Sequence, residues 1–191
     1  MTASDGHRKG ISLVALNRFA EAIECYDKAL ALDCANRVLA CDPSNVAGWD
    51  LKGTLLAELG RPAEAVPCHQ EARKLDPRDP RLAYNLGNAW AMMERFGEAI
   101  AAYEDSARLA PDMPVTWYNL ALSTFRAGRQ VESVPLLERY LAFDPPNDGL
   151  RRTAERLSSE IRAGRKPSVG PVRVGARINP EEQATIDAKA A

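Results

Sequence analysis

A chain of 191 residues, 46% apolar and 27% charged, has the composition of a globular protein with an ordinary core. Its net charge of −1 gives no general pull toward nucleic acid or anionic lipid, so neither is an expected partner. No apolar run approaches the roughly 18 residues needed to span a bilayer.

The opening "MTASDGHRKG" has no apolar h-region, so the cytoplasm is the expected compartment. Cys25, Cys34, Cys41 and Cys68 are accordingly expected as reduced thiols packed like small apolar residues. The first strongly helical stretch, "RFAEAIECYDKALALD", ends at Leu32-Asp33, yet a second ending, Cys41-Asp42-Pro43, follows nine residues later. Ile23, Tyr26, Leu30, Cys34, Val38 and Cys41 continue one apolar stripe at helical steps, with no Gly or Pro between. The spacing predicts a single helix over about 19–41, with a helix ending near Asn36 as the alternative.

Farther along, Pro43, Pro77, Pro111 and Pro145 stand 34 residues apart, and each breaks a helix. Between the breaks, "RLAYNLGNAWAMMER" and "FGEAIAAYEDSARLA" both show apolar residues at helical spacing, so each period holds two helices. Gly53, Gly87 and Ala121 form one small-residue column; Ala65, Ala99 and Ser133 form another. Four residues after the second column come His69, Tyr103 and Leu137, which fill the space that the small residues leave. Gly10 and Ala22 belong to the same columns, but they precede Gly53 and Ala65 by 43 residues, nine too many. Nine residues of helix add about 13.5 Å and half a turn, displacing the first repeat from register.

After the last proline break, "LRRTAERLSSEIRAG" turns Leu150, Ala154, Leu157 and Ile161 to one side and reads as a capping helix. Residues 165–178 are basic and rich in Gly and Pro, a linker; Asn179-Pro180 starts a short final helix over about 180–190.

The quoted columns resemble the tetratricopeptide repeat family, with its aromatic, Leu-Gly, aromatic, Ala, aromatic and Pro positions. The resemblance covers about residues 5 to 146 and implies an all-α, right-handed α-solenoid of helix-turn-helix repeats with a C-terminal capping helix. The expected organisation is a first repeat with its insertion over 1–42, three regular repeats over 43–146, a cap over 147–164 and a tail over 165–191. Family likeness further implies a protein-binding groove for a peptide or partner helix. Arg81, Tyr84, Asn85 and Asn88, then Tyr118, Asn119, Leu122 and Arg126 one repeat later, lie opposite the Leu86–Trp90 side of their helices and are the expected groove. Asn85 and Asn119 offer amide donors and acceptors suited to a peptide backbone, and the tyrosines supply rigid contact area. A family variant clamps a C-terminal carboxylate with a Lys and two Asn; Asp50 and Thr54 stand at two of those places, so that clamp is not expected.

No catalytic, metal or cofactor motif is present. His7 and His69 lack helical-spaced carboxylate or Cys neighbours, and Cys34 and Cys41 are about 10.5 Å apart along a helix, too far to share a zinc. The expected function is a non-enzymatic scaffold or adaptor. The alternatives are a self-assembling protein using the displaced first repeat or the tail, or an accessory subunit or chaperone of a larger complex.

Overall fold

The computed structural model describes residues 7–9, 11–12, 19–143 and 148–165, and no strand occurs among them. The expectations for the linker beyond residue 165 and for the 180–190 helix lie outside the described residues. Helices run Phe19–Cys41 (α1), Val46–Glu58 (α2), Pro62–Leu75 (α3), Pro80–Met92 (α4), Phe96–Leu109 (α5), Pro114–Arg126 (α6), Gln130–Leu141 (α7) and Asp148–Arg162 (α8). The chain forms two compact units, 1–89 and 90–191, each taken by itself below. Among the described residues no helix is long and apolar enough to cross a membrane.

Consecutive helices pack on each other: α1 on α2 and α2 on α3 in the first unit, then α5, α6, α7 and α8 in series in the second. The column residues form the seams. Ala65, Ala99 and Ser133 are wholly buried, and His69, Tyr103 and Leu137 beside them are at most 1% exposed. Small residues let the backbones approach, and the bulky ones close the gap.

The period extends to the helix starts. Arg61, Arg95 and Arg129 take the N-cap positions of α3, α5 and α7 without capping by their side chains. Each instead pairs with a glutamate three residues on, Glu64, Glu98 or Glu132. The arginine hydrogen bond holds all three carboxyls below the usual glutamate range. A first-turn glutamate also opposes the positive end of the helix dipole, which favours each of these helix starts although no side chain caps its N–H groups. The turn before each pair needs a left-handed residue: Gly60 at φ 77°, Glu94 at φ 58° and Gly128 at φ 83°. Only glycine takes that conformation without strain, so Glu94 carries about 1 kcal/mol of it.

Helix α1 is unbroken through Asn36 and all nine extra residues. Its buried face, however, is not the expected stripe. Ala29, Leu32, Ala35 and Leu39 are buried at 0–7% exposure, while Ile23, Leu30 and Val38 are exposed at 60%, 64% and 45%. Cys34 and Cys41 are exposed with them. The side chain of Tyr26 lies outside the described residues. Helix α1 carries two apolar faces, and the one of smaller residues lies against α2, where Gly48 admits Leu39 to within 3.1 Å of its would-be Cβ.

Candidate functional site

In the first unit three polar side chains from successive helices meet. The His69 Nδ1 on α3 lies 2.9 Å from Asp50 Oδ1 on α2, and Asn85 Nδ2 on α4 donates to both Asp50 oxygens at 3.0 and 3.2 Å. His69 is a buried imidazole, whereas the Asp50 side chain remains 27% exposed. The carboxylate is therefore held by two donors and still faces solvent.

This grouping looks like part of an acid–base relay, but its far edge is closed. A Cβ on Gly53 would lie 2.7 Å from His69 Cε1 and Nε2, so that edge of the ring rests on the α2 backbone. No substrate atom fits there. The same contact explains why this column needs glycine opposite histidine, whereas Ala121 suffices opposite Leu137. Gly53→Ala is expected to cost about 1–3 kcal/mol through overpacking, measured by urea denaturation. Adding His69→Ala should recover part of that loss by opening the space.

The expected groove residues divide sharply. In the first unit Arg81 pairs with Asp79 at 2.7 Å, Asn85 takes part in the Asp50 network, and Asn88 is half-buried. Tyr84 is only 1% exposed and presents no contact surface. In the second unit Arg126 is exposed, but Tyr118, Asn119 and Leu122 are at most 2% exposed. The expectation that these side chains face away from the core is overturned for Tyr84, Tyr118, Asn119 and Leu122.

For Tyr118 and Leu122 the cause is α8. Tyr118, Leu122 and Phe125 form one cluster with Leu137, Tyr140, Ala154 and Leu157, and Leu150 and Ile161 pack at its edge. The Tyr118 and Tyr140 rings lie 5.0 Å apart between centroids. Burial pushes the Tyr118 phenol up to about 12, against the opposing effects of a hydrogen bond with Thr153 and the charge of Arg156 on α8. Thus the cap covers the face expected to hold ligand. An open cleft of about 300 Å³ lies elsewhere in this unit, beside Arg108, Pro111, Trp117 and Leu120. There the Trp117 indole donates to Pro111 O at 2.9 Å and lies beneath the Arg139 guanidinium at 4.1 Å.

Asp50 and His69 were not among the expected site residues. The signal that marks them is a pair of misfits: Asp50 occupies the column of Tyr84 and Tyr118, and His69 that of Tyr103 and Leu137. Each is the polar member of its column, and the two contact each other.

Residues 7–67, 51–114 and 93–148 each match the family model described as Tetratricopeptide repeat. No curated protein matches the chain. Among solved structures the chain is similar to MamA, at 20% identity and TM-score 0.62 over 95% of this chain and 91% of that one. It is also similar to a thermophilic TPR protein of Thermus thermophilus, at 19% identity and TM-score 0.59 over 82% and 98%. A third is the first TPR of Spaghetti bound to an HSP90 peptide, at 20% identity and TM-score 0.57 over 61% and 95%. At these identities the likeness is one of fold.

Proposed function

The chain belongs to the tetratricopeptide repeat family, and from that premise we propose that it is a non-enzymatic scaffold or adaptor whose first unit binds a peptide along α2 and α4. The observation that carries the reading is Asp50. It is oriented by His69 and Asn85 yet remains accessible, with half-buried Thr54 and Asn88 on the same two helices. An oriented carboxylate beside amide and hydroxyl groups recognises a cationic side chain, lysine or arginine, in an extended segment.

The ligand is therefore of opposite charge to the acidic peptide, SRMEEVD, that the Spaghetti domain holds. A peptide ending in acidic residues meets Asp50 where the carboxylate-clamping variant needs a cation. The occlusion of His69 by Gly53 supports a binding role over a catalytic one.

Selection from a random linear peptide library on the intact chain is expected to enrich lysine or arginine. The selected peptide should bind Asp50→Asn about tenfold or more weakly, since hydrogen bonds to charged groups contribute about 1.5–3 kcal/mol. Asparagine keeps an acceptor for His69 and Asn85, so the melting temperature should move little and serves as the control. Equal affinity for both proteins, or enrichment of acidic peptides, refutes the reading.

A further inference from the structure

We propose that the outward face of α1 is a self-association surface, on which α1 of a second copy of this chain lies antiparallel. Ile23, Leu30, Cys34 and Cys41 follow one another at steps of seven, four and seven. On a helix of 3.6 residues per turn these steps keep all four within about 40° of arc. They lie on the side opposite Ala29, Leu32, Ala35 and Leu39, the residues buried against α2. The ion pair of Lys28 with Glu58, at 3.2 Å, fixes that orientation. The apolar stripe is thus held outward by the packing of its own helix.

The period shows that something is missing there. Ile23 belongs to the column of Val66, Ile100 and Val134, the latter three 34 residues apart and Ile23 43 residues before the first. Those three are buried at 5%, 6% and 9% exposure, against 60% for Ile23. Nine extra residues carry the next hairpin about 13.5 Å along α1 and half a turn round it, away from Ile23. The face left uncovered is one that elsewhere in this chain is packed.

Charge selects the occupant. Asp27 and Arg37 are both exposed and flank the stripe on either side of its midpoint. An antiparallel pairing centred at the level of Leu32 sets Ile23 opposite Cys41, Leu30 opposite Cys34, and Asp27 opposite Arg37 of the second copy. The twofold axis makes every contact twice, as an isologous interface requires. A parallel pairing would place Asp27 on Asp27 and Arg37 on Arg37, so the sequence complements itself in one direction only. The inference is independent of the Asp50 site, which lies on α2.

The test is sedimentation velocity of the intact chain under reducing conditions, from low micromolar to several hundred micromolar. Wild type is expected to shift from monomer to dimer with concentration. Leu30→Asp should remain monomeric throughout, and at concentrations where wild type is also monomeric its melting temperature should be unchanged, because Leu30 is 64% exposed in the single chain. Arg37→Asp should weaken the dimer at least about tenfold, and Asp27→Arg combined with Arg37→Asp should restore it. Under mild oxidation Leu30→Cys should yield a covalent dimer that disappears when Cys34→Ser is added, reporting the register directly. A wild type monomeric throughout, a dimer indifferent to Leu30→Asp, or a charge exchange that fails to restore pairing each overturns the proposal. Association only with a different protein counts as the first of these.

Discussion

Tyr118→Ala is expected to lower the stability of the second unit by about 3–5 kcal/mol, as for other large aromatic truncations in cores. The ring is 2% exposed, meets Tyr140, and is closed over by Ala154 and Leu157 of α8. Removing it leaves a cavity that three helices must collapse around. Urea denaturation checks this, and a loss below about 1 kcal/mol would place the ring outside the core. Its phenol adds a pH dependence with a definite sign. The folded value of about 12 lies above the unfolded value near 10, so the fold favours the neutral form. That contribution is complete below pH 10 and is lost as pH rises through about 12. Tyr118→Phe should abolish this alkaline loss while keeping most of the packing.

Ala35→Pro is expected to cost about 3 kcal/mol or more. Ala35 lies in the interior of α1, so proline removes its bond to the carbonyl of Ala31 and sets a ring against that carbonyl. It is also 2% exposed, on the face against α2, so a kink there lifts Leu32 and Leu39 from their contacts. Thermal melts followed by helical circular dichroism give the measurement. A shift smaller than that of an exposed-loop proline would mean that the helix ends before residue 35.

The repeat was readable because a 34-residue period constrains many positions at once, and Ala65, Ala99 and Ser133 are buried as their column demands. Residues of α8 were readable for a similar reason: Leu150, Ala154, Leu157 and Ile161 form its one apolar face. Periodicity failed on α1 because two apolar stripes compete there. Spacing alone does not say that Ala29 and Ala35 go inward while larger Leu30 and Val38 stay out; the close contact of Leu39 with Gly48 lies on that inward face and has no signature in the spacing. The groove was misread for a different reason. Polarity suggested that Asn119 faces solvent, but it is wholly buried, on a helix with α5 on one side and α7 beside it. Asp50 and His69 escaped because their contact spans 19 residues and two helices, a separation at which no local pattern repeats.

A strict repeat writes the same faces over and over, so whatever fits one hairpin has several equivalent places to sit. Such translational symmetry makes recognition degenerate. The nine extra residues in α1 act as a dislocation does in a lattice: the spacing resumes intact beyond it, and the mismatch is stored along one line. A surface at a dislocation has no translational copy in the same chain. Contacts built on repeated faces can propagate into filaments, whereas a symmetric contact on a face that occurs once closes at two molecules. Ile23, alone exposed in a column of four, is in that sense an address that the chain bears only once.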